Sequence, residues 1–143
     1  MIFDLKKNDP AKLAESGYTF KMVTPDGNVQ EAKLTVRGAH SAKVRDFQRS
    51  VQNKWQQRDA AAKRRGKDKA EELTPEEYDS LGVDSACARL IGWEGFTEDG
   101  KEVLYSESEA IRLMTDYPFL REQVVRESEE NGNFTLTKTL NKL

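Results

Sequence analysis

Apolar and polar positions alternate along two neighbouring runs of this chain. Tyr18, Phe20 and Met22 mark the first, and Ala32, Leu34 and Val36 the second. A period of two places one face of a strand against a core. Between the runs stands Pro25-Asp26-Gly27-Asn28, in which proline fixes φ and Gly27 accepts a positive φ. The pair predicts a β-hairpin. An isolated hairpin is marginal in water, so a helix, a third strand or another subunit must cover it. A further short strand is expected within residues 1–15.

From Ser41 the period changes. Val44, Phe47, Val51 and Trp55 recur at three- and four-residue steps, the signature of one helical face, with Ser41 as N-cap and the end near Gly66. "KRRGKDKAEEL" is nearly devoid of apolar side chains and reads as a solvated linker, the least ordered internal stretch expected. "TPEE" restarts a helix: Thr74 caps, Pro75 suits the first turn and Glu77 completes a capping box. Tyr78, Leu81, Ala86, Leu90 and Ile91 form its apolar stripe, weakened by Gly82. "TEDGKE" predicts a turn and "VLY" (103–105) a short strand. Ser106 and Glu109 form a second capping box ahead of "AIRLM". Pro118 opens a last helix with Phe119, Leu120, Val124 and Val125 on its apolar side, and "ENGN" closes it. The fold class is α+β, mainly helical with an N-terminal β-hairpin. The chain divides as one domain into a hairpin region (1–38), a basic amphipathic helix (39–66), a charged linker (67–74), a helical C-terminal region (75–134) and a tail (135–143) that is either a strand or disordered.

Composition narrows the function. Of 143 residues, 36% are hydrophobic and 34% charged, enough for a modest core only. No apolar run approaches the roughly 20 residues that span a bilayer, and "MIFDLKKNDP" lacks the apolar stretch of a signal peptide. Cys87 is the only cysteine, which excludes an internal disulfide. A cytosolic protein without a membrane partner is expected. The net charge of −2 hides segregation: residues 37–69 carry eleven basic and three acidic side chains, residues 70–143 seven basic and seventeen acidic. Such asymmetry bears on partners more than on fold.

Enzyme chemistry finds little support. His40, the lone histidine, reads as a solvated or capping residue, and Cys87 as a small core hydrophobe with no marked activating base. No Cys/His spacing suits zinc, "TEDGKE" lacks the alternating oxygen ligands of a calcium loop, and "GWEGF" is not followed by the Lys-Ser/Thr of a phosphate loop. No catalytic residue, cofactor or metal is assigned. The basic block containing Lys54, Arg58, Lys63, Arg64, Arg65, Lys67 and Lys69 is the best nucleic-acid candidate. Its interspersed Asp59 and Asp68 favour a solvated helix end instead. A third reading docks it onto the acidic C-terminal half, in the same or a neighbouring copy, so self-association is left open.

Residues 91–134 carry a wider pattern: Trp93 and Gly95, then Tyr105-Ser106 through Ala110, then Tyr117-Pro118-Phe119-Leu120-Arg121-Glu122-Gln123-Val124, and finally Asn133-Phe134. The segment resembles the tail assembly chaperones of long-tailed bacteriophages. The resemblance covers about the last third of the chain. It implies a non-catalytic protein of the host cell cytoplasm that binds the tape-measure protein, keeps it soluble, helps recruit tail-tube subunits and is not retained in the virion. It also points to Trp93, Phe96, Tyr117, Phe119 and Leu120 as partner-binding residues. The residues themselves allow two readings, a half-core that pins the turn onto the helices or an exposed grip on an apolar client helix. Rival functions are a structural tail or connector protein and, further off, a nucleic-acid-binding regulator.

Overall fold

The computed structural model describes residues 2–136 and Lys138. The predicted hairpin forms: β1 (Tyr18–Val23) pairs antiparallel with β2 (Val29–Val36), Tyr18 opposite Val36 and Phe20 opposite Leu34. The described residues ahead of it hold no strand. Asp9 accepts a hydrogen bond from Ala11 N, Pro10 occupies the first turn, and a short helix α1 (Pro10–Leu13) with a 3₁₀ turn (Ala14–Ser16) results. Asp-Pro is a helix start signal, and it prevails here over any strand tendency.

The helix starts lie where their capping chemistry placed them. In α2 (Ala42–Arg64) Ser41 Oγ accepts from Val44 N. In α3 (Pro75–Arg89) Thr74 and Glu77 make both bonds of the capping box. Helix α4 (Glu107–Asp116) is capped by Ser106. The reciprocal half of that box gives way to an ion pair, because the Glu109 carboxylate turns to the Arg112 guanidinium (Nε–Oε2 2.9 Å). Pro118 opens α5 (Pro118–Glu129), and a 3₁₀ turn (Asn131–Asn133) ends it.

The helical stripe expected to run through Leu90 and Ile91 stops earlier. Those residues begin β3 (Leu90–Glu94), which pairs antiparallel with β2 and makes it the central strand of the order β1-β2-β3. This is the third strand the hairpin required. Phe20, Leu34 and Trp93 stand opposite one another across the sheet, and with Val36 and Leu90 they face the helices. The other face is polar, with Thr19 hydrogen-bonded to Thr35 at 2.8 Å and Lys33 near Glu94 at 3.9 Å. One dry and one wet face is the usual arrangement of an antiparallel sheet. Tyr78, expected on the buried side of α3, is 55% exposed; Val83 and Ala86 take that side.

The second strand region also differs from expectation. "VLY" is irregular, and a small hairpin instead joins β4 (Thr97–Glu98) to β5 (Lys101–Glu102) through the turn Asp99-Gly100, both at positive φ. Helices α3, α4 and α5 pack on one another, with α5 across the inner face of the sheet, while α2 lies outside and packs chiefly on α3. Leu34, Val36, Leu90, Met114 and Val124 fill the core, closed by Phe134, which is 1% exposed and meets the Tyr18 ring edge-on. Phe134 is thus a core anchor. Thr137 and residues 139–143, where a strand or disorder is expected, lie outside the described residues. The linker holds no regular structure, yet Ala70 N donates to Asp59 Oδ1 and Arg58 reaches the Glu71 carbonyl.

Candidate partner-binding surface

Four of the five residues singled out in the sequence converge on one edge of the molecule. Trp93 stands one residue before the end of β3, and its indole Nε1 donates to the Val103 carbonyl at 2.8 Å. Its ring meets Phe96 at 6.2 Å and Tyr105 at 5.1 Å, both edge-on. Such geometry sets a positive ring edge against a negative face. Tyr117 and Phe119, flanking Pro118 at the α4–α5 junction, form another edge-on pair at 6.4 Å. Phe96, Tyr117 and Phe119 are each half-buried and surround, with Met22 and Val103, a shallow cavity of about 170 Å³. Leu120, at 3% exposure, forms its floor from beneath. Trp93 and Leu120 secure the fold, and Phe96, Tyr117 and Phe119 rim an open apolar depression.

A polar network holds the rim. The Arg112 guanidinium grips Glu98 with two nitrogens, at 3.1 and 2.6 Å, and the Tyr117 hydroxyl donates to the same carboxylate. These bonds favour the charged form, so Glu98 titrates below the usual carboxylate range, first through Arg112 and then Tyr117. The same bond to Glu98 raises the Tyr117 phenol. Paired planar contacts of this kind fix geometry as well as charge. They tie the β4–β5 hairpin to α4 and so set the angle at which Phe96 faces Tyr117. Sequence reasoning did not single out Glu98 or Arg112. The one available signal was an arginine amid Glu109 and Asp116 at helical spacings, which is common on solvated helices.

Other sequence candidates fall outside this surface. His40 is exposed. Burial pushes the Cys87 thiol up to about 11, so at neutral pH it is a protonated, poor nucleophile. Among the described residues no group of three or more His, Cys, Asp or Glu side chains could hold a metal ion, and no helix is long and apolar enough to cross a membrane. The basic block is partly neutralised in cis. Arg58 pairs with Glu77 at 3.2 Å and Lys67 with Glu71 at 3.3 Å, while Lys63, Arg64, Arg65 and Lys69 form no ion pair among the described residues.

The arrangement is that of a small α+β domain offering an apolar depression framed by ion pairs. The sequence profile of the YdaY prophage protein family matches residues 39–141, well over half of the chain. The chain belongs to that family and is a prophage protein. The match takes in α2 through α5 and the whole aromatic surface, and begins beyond the β1–β2 hairpin. No curated protein and no solved structure matches the chain.

Proposed function

We propose that this prophage protein is a non-catalytic tail assembly chaperone that acts in the host cytoplasm, binds the tape-measure protein and helps recruit tail-tube subunits. The observation that carries the reading is the apolar depression of Phe96, Tyr117 and Phe119, built from the same segment whose sequence resembles the chaperones. Amphipathic helices bind by laying apolar side chains into depressions of this kind. The rim needs no ordering on binding, because Glu98, Arg112 and Tyr117 already fix it, which limits the entropic cost of association. A protonated, half-buried thiol and a solitary exposed histidine offer no support for a catalytic alternative. A nucleic-acid role would have to rest on Lys63, Arg64, Arg65 and Lys69, since Arg58 and Lys67 already serve acidic partners within the chain.

The test is co-expression with the tape-measure protein and, separately, the tail-tube protein of the same prophage. The reading expects the tape-measure protein to become soluble and co-purify, and purified particles to lack the chain. A chain that is retained in particles and leaves the tape-measure protein insoluble is instead a structural component.

A further inference from the structure

Helix α2 has 23 residues and chiefly one neighbour, α3. Between the two helices runs a second apolar groove, of about 470 Å³ and far from the aromatic surface in sequence, floored by Phe47, Val51, Trp55, Leu73 and Leu81. Phe47, Val51 and Trp55 are only half-buried, so their stripe is not fully covered by this chain. A helical layer with an apolar face is stable when another layer covers it. What distinguishes this groove is its charge. The Arg58–Glu77 pair closes one end, and two further charged groups line the walls, Lys54 from α2 and Asp84 from α3. Both are exposed, and neither forms an ion pair among the described residues.

The hairpin register relates those two groups. Lys54 lies four residues before Arg58, and Asp84 seven residues after Glu77; because α2 and α3 run antiparallel, both displacements point the same way. The two charges therefore differ in height by about three residues, or roughly 4.5 Å along the groove. A two-fold axis parallel to the groove exchanges its walls. It lays each α2 against α3 of the other copy at the same height, so Lys54 of one copy meets Asp84 of the other, twice. A groove with one basic and one acidic wall is self-complementary under that operation.

We infer that this groove is the interface of a homodimer, in which α2 and α3 of two copies form a four-helix bundle with every neighbouring pair antiparallel. Val51 and Trp55 lie at its centre, and the two Lys54–Asp84 pairs flank them. The dimer leaves the depression at Phe96, Tyr117 and Phe119 uncovered, and it does not depend on the proposed client.

Sedimentation equilibrium across a dilution series tests this. The wild-type chain should reach twice its monomer mass of 16.3 kDa. Lys54→Glu and Asp84→Lys each set like charges together at two places and should weaken association about tenfold or more. The double variant Lys54→Glu/Asp84→Lys restores both pairs and should recover most of the affinity, which a folding defect would not do. Val51→Glu, checked by circular dichroism, should be a folded monomer. A wild-type chain that is monomeric throughout overturns the inference, as does a dimer indifferent to both single charge variants. So does a monomer that takes a helix from another protein into this groove.

Discussion

The Gln123 side chain of α5 completes the backbone of Val23 in β1. Its Oε1 accepts from Val23 N at 2.8 Å, and its Nε2 donates to Val23 O at 2.9 Å. β1 is an edge strand whose pairing with β2 shifts register between Lys21 and Val23. An edge leaves backbone groups without strand partners, and the carboxamide stands in for the missing strand. Gln123 is 5% exposed, so Gln123→Leu strands both Val23 groups beside an apolar side chain. The expected loss is about 1–3 kcal/mol, read by chemical denaturation, with faster hydrogen exchange at the Val23 amide.

Leu34 sits in the central strand, fully buried, between Phe20 and Trp93. Leu34→Asp would place an unpaired carboxylate there. Buried unpaired charge is among the few mechanisms that cost more than about 4 kcal/mol. The variant should be largely unfolded by circular dichroism at room temperature. A cooperative melt within a few degrees of wild type would mean that the strand register is wrong.

Glu98 gives the stability an acid dependence. Its folded value lies below the ordinary glutamate range because Arg112 and then Tyr117 bond the charged form. A carboxyl depressed in this way adds stability above its unfolded value, and the contribution is lost as pH falls through the folded one. Glu98→Gln should lower the melting temperature at neutral pH and flatten its decline on acidification. Parallel wild-type and variant curves below the ordinary carboxylate range would show that the Arg112 contact adds nothing.

Gly66 ends α2. Its φ is +81°, Lys67 N donates to Ala62 O and Gly66 N to Lys63 O, the paired bonds of a Schellman turn. A β-carbon there would meet nothing within 4 Å, so the cost of Gly66→Ala is backbone strain alone, about 1–2 kcal/mol. Thermal melts should register the loss, and trypsin should cut more readily after Arg64 and Arg65.

Local chemistry was the legible part of this fold. Ser41, Thr74 with Glu77, Ser106 and Pro118 each announced a helix start, because caps and proline act within one turn of chain. The hairpin was readable for the same reason. What failed to show was set by distance. Leu90 and Ile91 continue the helical spacing of α3, and only their pairing with β2, more than fifty residues earlier, makes them a strand. Gln123, Ser128 and Arg89 are polar residues that sequence places at the surface. They are buried because Val23, the Arg37 carbonyl and Glu129 wait for them: Ser128 Oγ donates to Arg37 O at 2.7 Å, and Arg89 meets Glu129 at 2.6 Å. Of the candidate site, the four aromatic residues and Leu120 were visible in sequence. Their division into buried Leu120, tethered Trp93 and half-exposed Phe96, Tyr117 and Phe119 depends on packing that no local pattern encodes.

The central claim is that this prophage protein holds the tape-measure protein through that half-exposed rim. The most direct measurement is a pull-down of co-expressed tape-measure protein by the wild-type chain, by Phe119→Ala and by Trp93→Ala, with folding of each variant verified by circular dichroism. Wild type should retain the client. Folded Phe119→Ala should lose it, by the ~2 kcal/mol or more typical of a binding hot spot, and Trp93→Ala should weaken it through the fold. Undiminished binding by both folded variants would remove the rim from the account, and a wild-type chain that retains neither tape-measure nor tail-tube protein would contradict the chaperone reading itself.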